Sequence, residues 1–261
     1  MDMRPLGSTG ITVSLLGLGT VKIGRNEGVK YPQGFDLPDD AGVIALLEQA
    51  HALGITLIDT APAYGRSEER LGQLLPKVGA GRAGWVIATK AGEWFEDGQS
   101  RFDFSVPAII ASVETSLRRL RTDYIDVVLL HSDGIDEAGD RFLPAAEALD
   151  RLKRRGLIRA SGFSGKTPAG SHHMLDCVDV MMLTYNPGYT DDLPVIAEAA
   201  AAGKGVLIKK ALASGHAADP ASALRAAAAI AGVSSIVVGT VSPANLRANA
   251  TALQAGKEGV A

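Results

Sequence analysis

Cysteine is nearly missing from this chain. Cys177 is the only one among 261 residues, so an internal disulfide is excluded and a reducing compartment is the simpler setting. Long apolar runs are missing too, and none approaches the roughly 20 residues needed to span a bilayer. Residues 1–5 lack the basic and then apolar pattern of a secretion signal, which makes the cytoplasm the expected location. Nor does charge of one sign prevail. The formal net charge of −3 argues against broad attraction to nucleic acid or an anionic membrane. No Pro/Gly/Ser-rich linker divides the chain, and residues 1–261 read as one domain.

What is present is an ordinary globular composition, 46% hydrophobic and 21% charged, enough for a sizeable core. Short apolar runs alternate with longer stretches of helical period. The runs cover residues 15–19, 56–59, 85–90, 125–131, 157–163, 178–183, 205–209 and 234–238. Each is about the length of a strand buried on both faces.

Between them, Asp39 caps a helix with Val43, Leu46, Leu47 and Ala50 on its apolar face and Gly54 at its stop. Ser105 starts another, with Val106, Ile110, Val113, Leu117 and Leu120 on one stripe. Residues 142–155 end in basic residues before Gly156, which suits the negative end of a helix dipole. Asp219-Pro220 and Ser242-Pro243 each read as a cap followed by proline at the first helical position.

Eight strand–helix repeats predict an α/β fold, a closed (β/α)8 TIM barrel. Residues 4–13 hold Gly7-Ser8-Thr9-Gly10 between short extended pieces, a β-hairpin expected to close the bottom of the barrel. The competing architecture is an open doubly wound sheet. Its dinucleotide fingerprint fails here. Gly17 and Gly19 follow the first strand, but Lys22 stands where the third glycine belongs, and the segment through Pro32 and Pro38 is too irregular to start a helix. Close packing at a strand end is the better use of these glycines.

Barrel enzymes place their chemistry at the C-terminal ends of the strands. Those positions here hold Asp59, Lys90 and His131, with Tyr64 five residues past Asp59. Each alone reads as structural: a capping carboxylate, a packed ring, a solvated rim charge. Together at one barrel mouth they suit proton transfer to or from an oxygen. A free tyrosine, with a pKa of about 10, is a poor catalyst at neutral pH. An ammonium beside it favours the phenolate, and a carboxylate holds the ammonium. The expected roles are Tyr64 as acid/base, Lys90 tuning it, Asp59 anchoring Lys90, and His131 orienting or polarising a carbonyl.

These residues carry a resemblance. Gly17-Leu18-Gly19-Thr20, Ile58-Asp59-Thr60-Ala61-Pro62-Ala63-Tyr64-Gly65, Ala88-Thr89-Lys90 and Tyr124-Ile125-Asp126 through His131 resemble the aldo-keto reductase family over nearly the whole chain. The stretch from Asp59 to Gly65 is the most specific. The resemblance implies a (β/α)8 barrel, an Asp-Tyr-Lys-His tetrad and NADP(H)-dependent carbonyl reduction.

A barrel's usual phosphate site lies after strands seven and eight. The first loop offers Lys209, Lys210, Leu212, Ser214 and Gly215. The second offers Thr240, Ser242 and Asn245 at a helix N-terminus, where free N–H groups and the dipole favour an anion. The bland reading is a helix cap beside solvated lysines. The resemblance aligns these segments with the family's pyrophosphate loop and 2′-phosphate site, adds Asn249 as an adenine contact, and places Thr20 at the cofactor.

Three departures bear on the nicotinamide. Ser164 is kept, but Gly165 replaces the family's Asn, Met182 its Gln, and Lys209 its stacking aromatic ring. Tyr185 or Asn186 supplies lost contacts on this reading. Asn245 stands where many members have Arg for the 2′-phosphate, with Lys209 or Lys210 compensating. NADP(H) is therefore expected, with NAD(H) as the other possibility.

Substrate selectivity is expected from Val21 and Lys22, Tyr31, and Trp94 with Phe95, since loop aromatics often line pockets; the latter two can equally pack their loop down. The chain stops soon after the eighth helix, which suggests an open site for a small carbonyl or sugar. No metal is expected: adjacent His172 and His173 diverge on a helix, and nothing completes a tetrahedral set. They read as a surface pair beside a small buried thiol. Arg118-Arg119 and Arg154-Arg155 read as solvated helix ends. A monomer or weak homo-oligomer is expected. The rivals are a non-catalytic nucleotide-sensing or partner-binding barrel, which a resemblance to voltage-gated potassium-channel β subunits allows, and a lyase or isomerase using Lys90 as a Schiff-base nucleophile. Within the oxidoreductases, a sugar dehydrogenase running toward oxidation is the alternative.

Overall fold

The computed structural model describes residues 1–29, 31–32, 34–135 and 139–254. The chain opens with the hairpin β1 (Met3–Pro5) and β2 (Thr12–Ser14), paired antiparallel. The first barrel strand β3 (Leu16–Gly19) leads into a single turn, α1 (Val21–Gly24), and after a long loop into α2 (Asp40–Ala52). Then follow β4 (Leu57–Asp59), α3 (Ser67–Leu74) and β5 (Val86–Ala91). A second hairpin, β6 (Glu93–Glu96) with β7 (Gln99–Phe102), precedes α4 (Val106–Leu120). The alternation resumes with β8 (Ile125–His131), α5 (Leu143–Arg154), β9 (Ile158–Ser164) and α6 (Pro168–Met174). It ends with β10 (Val180–Thr184), α7 (Leu193–Ala201), β11 (Gly205–Lys209), α8 (Pro220–Ala228), β12 (Ser235–Gly239) and α9 (Pro243–Gln254).

Eight strands, β3, β4, β5, β8, β9, β10, β11 and β12, close into one barrel in chain order, all parallel. The TIM barrel is therefore the architecture, and the open doubly wound sheet is excluded. The apolar core has two parts. One lies between the barrel and its helices; the other fills the barrel interior. Leu6, Ile11 and Val13 from the first hairpin join Leu57, Val127, Leu129, Val180 and Leu207 in the interior, which closes the bottom.

The caps form for the reasons the sequence suggests. Asp39 accepts from Gly42 N at 2.7 Å, and Val43, Leu46, Leu47 and Ala50 are the buried residues of α2. Ser105 and Asp219 accept from the N–H groups of Ala108 and Ser222. The buried face of α4 is turned slightly from the expected stripe. Ile109, Val113 and Leu120 are buried with Ser112 and Ser116, whereas Val106, Ile110 and Leu117 are only partly so. Gly17 does serve close packing, since a Cβ there would lie 2.9 Å from Leu57 Cδ2. The segment after Gly19 reads as irregular in sequence, yet residues 21–24 form one helical turn. Among the described residues no helix is long and apolar enough to cross a membrane.

Candidate active site

Side chains alternate along a strand, so residues two apart share a face. In β4, Leu57 fills the barrel interior and Ile58 packs toward the helices, which returns Asp59 to the inside. The same step carries Ala88 to Lys90, Leu129 to His131, and Leu207 to Lys209. Barrel register sets these ends side by side, with Asp59 opposite Ala88, Lys90 opposite Leu129 and His131 opposite Ser164. Pattern and register together put the polar groups around one mouth, above an apolar plug.

The mouth encloses a cavity of about 280 Å³, with Asp59, Tyr64, Lys90 and His131 on its wall. Lys90 Nζ donates to Asp59 Oδ1 at 2.6 Å and to Thr60 O at 2.9 Å, with lysine and carboxylate both buried. Burial works to lower the Lys90 pKa, but the charge of Asp59 and the neighbouring Tyr64 raise it overall, so the group stays an ammonium. Lys90 Nζ lies 4.8 Å from the centre of the Tyr64 ring.

Tyr64 differs from expectation in one respect. Burial raises its pKa and outweighs the lowering by Lys90, while Asp59 adds to the rise, so the net direction is up. The ammonium restrains the phenol's shift without reversing it. The Tyr64 ring meets His131 edge-on, with centroids 6.5 Å apart. Its segment is set by close contact with α1: a Cβ on Gly24 would lie 2.1 Å from Tyr64 O. A chain of buried hydroxyls holds the base of the site. Thr60 donates to Ser67, Ser67 to Thr20, and Thr20 to Asp59 O at 2.8 Å.

Sequence reasoning missed Glu93. Its Oε2 lies 2.5 Å from His131 Nδ1, a close contact of carboxylate and ring nitrogen that falls short of an aligned hydrogen bond. Gly92, at φ 93°, lies between β5 and β6, and Glu93 directly after it meets His131. An acid two residues beyond a strand end gave no spacing signal of its own. Burial works to raise the Glu93 pKa, but His131 and Ser100 bring it down to about 2.

Of the residues expected at a cofactor, Thr20, Ser164, Lys209, Lys210, Leu212, Ser214 and Gly215 line the cavity. Tyr185 does not; it packs against the barrel–helix core. Thr240, Ser242, Asn245 and Asn249 lie beyond Gly239 at the start of α9 and within it. There Ser242 caps the helix, accepting from Asn245 N at 3.2 Å. Lys209 Nζ donates to Ser164 Oγ at 2.9 Å and to Gly165 O. Burial first, then the charge of Lys210, push Lys209 down to about 7. Five non-glycine residues among those described have positive φ, and Lys210, Ala213 and Ser214 of this loop are three of them. Such backbone costs about 1–2 kcal/mol per residue and tends to be kept where a ligand loop needs it.

The donor set fits an anionic dinucleotide. Lys22, Lys166, Lys209 and Lys210 line the cavity beside the Lys90–Asp59 pair. The N-terminus of the twelve-residue α9 stands just outside, with backbone N–H groups suited to phosphate. Lys166 and the apolar Val237 and Val238 also line the cavity and were not foreseen.

Of the residues expected at substrate, Val21 and Tyr31 line the cavity. The Tyr31 ring sits against Lys22 Nζ, 4.0 Å from its centroid. Trp94 and Phe95 do not line it, because they lie on the unforeseen β6–β7 hairpin, where Phe95 stacks under Arg25 at 3.9 Å. The expected open site after the last helix turns on residues 255–261, which lie outside the described residues.

The adjacent histidines each meet a carboxylate, His172 Nδ1 that of Glu198 and His173 Nε2 that of Asp140, while Cys177 is half-buried rather than buried. Arg119 is not merely solvated, since it reaches Glu68 and Glu69.

Comparison with known proteins points one way. The model of the Aldo/keto reductase family matches residues 15–215. L-galactose dehydrogenase of Arabidopsis thaliana is 32% identical over 227 residues, 82% of this chain and 66% of that protein. The NADH-specific methylglyoxal reductase of Escherichia coli K12 is 39% identical over 177 residues, 62% of this chain and 51% of that protein. The match thus takes in between about half and two thirds of these relatives. Among solved structures, a Pseudomonas aeruginosa protein described as an aldo-keto reductase has 47% identity and a TM-score of 0.88, over 98% of this chain and 95% of that one. An aldo-keto reductase of Bacillus halodurans in its holo form has 27% identity and a TM-score of 0.79, over 97% and 91%.

Proposed function

The chain belongs to the aldo/keto reductase family, and on that premise we propose that it is an NADP(H)-dependent oxidoreductase with Tyr64 as general acid/base. It interconverts a small aldehyde or ketone, or a sugar, with the corresponding alcohol. The observation that carries this reading is the convergence of Tyr64, the buried Lys90–Asp59 pair and His131 on one cavity.

A bound nicotinamide supplies or takes up the hydride. The side chains do the rest. Tyr64 passes a proton to or from the reacting oxygen, Lys90 stabilises the phenolate left behind, and Asp59 fixes Lys90 in place. His131 orients the oxygen. The apolar plug beneath keeps the charged groups in a site of low dielectric, where they act strongly.

Lys209 and Lys210, with the α9 N-terminus, support a phosphorylated cofactor, NADP(H) ahead of NAD(H). The name of the Escherichia coli relative specifies NADH, so both cofactors belong in the test. The Schiff-base alternative needs a neutral Lys90, and its partners hold it protonated. The non-catalytic alternative leaves an assembled tetrad without a use. The same reading takes residues 1–261 as one cytoplasmic domain, monomeric or weakly associated, which light scattering checks.

The deciding experiment is titration with NADPH and NADH, followed by loss of nicotinamide absorbance against a panel of small aldehydes and sugars. Binding with turnover is expected, and Tyr64→Phe should abolish turnover while cofactor still binds. Retained turnover in Tyr64→Phe rejects the assignment of the acid/base. Binding without turnover on any of the panel moves the sensing barrel ahead.

A further inference from the structure

We propose that Glu93 is a positioning residue that holds His131 with a proton on Nδ1, so that its Nε2 meets the reacting oxygen as an acceptor when the ring is neutral and as a donor only when the ring is doubly protonated. The consequence is directional: neutral His131 serves alcohol oxidation, and imidazolium serves carbonyl reduction. The directional part rests on the hydride-transfer reading above; the tautomer does not.

The geometry is simple. Glu93 Oε2 stands 2.5 Å from His131 Nδ1. An ionised carboxylate only accepts, so the nitrogen facing it carries hydrogen. A neutral imidazole has one donor nitrogen and one acceptor, which leaves Nε2 bare. His131 also lines the cavity that Tyr64 and Lys90 share, so the ring's free nitrogen serves that side.

The surroundings decide which form prevails at neutral pH. Burial lowers the His131 pKa and Glu93 raises it, while the ammonium of Lys90 on β5, and Lys209 on β11 in its protonated form, lower it again. The net direction is down from the usual value near 6.5. Tyr64 faces the ring from the loop after β4, and Lys166 acts on Glu93 from beyond β9. Neutral His131 with an acceptor at Nε2 is therefore the resting form.

In oxidation, the alcohol's C–H bond breaks with its electron pair going to the oxidised nicotinamide. The O–H bond breaks with its proton going to the bare Nε2 of neutral His131, or to Tyr64 in its phenolate form, and C=O forms. In reduction, the hydride returns to carbon, Tyr64 gives the proton, and only doubly protonated His131 donates to the carbonyl oxygen. The two directions should thus depend on pH with opposite sign. Above the His131 ionisation, kcat/KM for reduction should fall about tenfold per pH unit, while that for oxidation rises to a plateau.

The test is 15N NMR of histidine-labelled protein, with His131 assigned by loss of its signals in His131→Asn, together with pH profiles in both directions. The expected spectrum shows Nδ1 protonated and Nε2 bare at neutral pH. Glu93→Gln should lower the His131 ionisation by about one unit, moving the break in both profiles with it. Glu93→Asp should restore part of the wild-type behaviour. His131 in the Nε2–H tautomer, or an ionisation unmoved by Glu93→Gln, overturns the proposal. The expected tautomer in a protein that turns nothing over keeps the role of Glu93 and rejects the reading of the site as a reductase instead.

Discussion

Lys209 Nζ donates to Ser164 Oγ across 2.9 Å, tying the end of β11 to the end of β9. The group is pushed down to about 7 by burial and then by Lys210, whereas in an unfolded chain it titrates near 10.4. The fold thus favours the neutral amine. The cost of burying this lysine is full below about pH 7, where both states are protonated, and fades as pH rises toward about 10. Lys209→Met should therefore raise stability at pH 7, by on the order of 2 kcal/mol. The gain in melting temperature over wild type should shrink toward pH 10. Parallel curves of melting temperature against pH for the two proteins refute this account of Lys209.

The same ammonium shares its cavity with the site proposed for the nicotinamide, whose oxidised ring is positively charged and whose reduced ring is not. Below about pH 7 protonated Lys209 should favour the reduced cofactor over the oxidised one. At an effective dielectric of about 20 and a separation of roughly 8–15 Å, that amounts to about 1–2 kcal/mol, or roughly 5- to 30-fold in the ratio of dissociation constants. The ratio should fall as pH rises through 7 and stay flat in Lys209→Met. Fluorescence titration of both cofactor forms from pH 6 to pH 8.5 reads it directly. A flat ratio in wild type places the charge of Lys209 too far from the ring to matter.

Lys90 and Asp59 form a buried pair with 2% and 6% side-chain exposure, so removing one partner strands the other. Lys90→Met should lose about 10²–10⁴ in turnover. It should also lose about 3 kcal/mol of stability at neutral pH, because a carboxylate then lies buried without its cation. The double variant Asp59→Asn/Lys90→Met should regain much of that stability and none of the turnover. Recovery of both would make the pair purely structural.

The barrel was legible because its strands carry a repeated signal. The run at residues 125–131 coincides with β8, and Asp39, Ser105, Asp219 and Ser242 all cap as their side chains suggest. Asp59, Lys90 and His131 were legible for the same reason, as each ends a strand that the pattern defines. Tyr64 was legible from its spacing to Asp59. Glu93 was hidden because its position depends on a turn at Gly92 and on a hairpin too short and polar to announce itself. The direction of the Tyr64 shift was hidden as well. Local sequence names the neighbouring ammonium, but burial is set by the whole barrel and outweighs it.

Asp126 shows the other pole of the barrel. It lies on β8 five residues before His131, about 17 Å away along an extended strand, so it shares the strand without sharing the site. Its Oδ2 accepts from Arg82 at 2.8 Å and from Ile87 N at 2.9 Å, and its Oδ1 from Arg159 at 2.7 Å. One buried carboxylate thus joins β8, β9 and the start of β5. Asp126→Ala leaves a buried N–H unpaired and two guanidinium groups without their anion. Both arginines keep some contact with water, at 18% and 45% side-chain exposure, which holds the loss to about 3 kcal/mol. For a domain of this size that lowers the melting temperature by roughly 6–12 °C. Because residues at the N-terminal face of such barrels serve stability and those at the C-terminal face serve chemistry, kcat/KM per folded molecule should be unchanged at 25 °C. Calorimetry with active-site titration separates the two quantities. A fall in kcat/KM without a fall in melting temperature would mean that β8 transmits strain from Asp126 to His131, and the division of labour between the two ends of the barrel would not hold here.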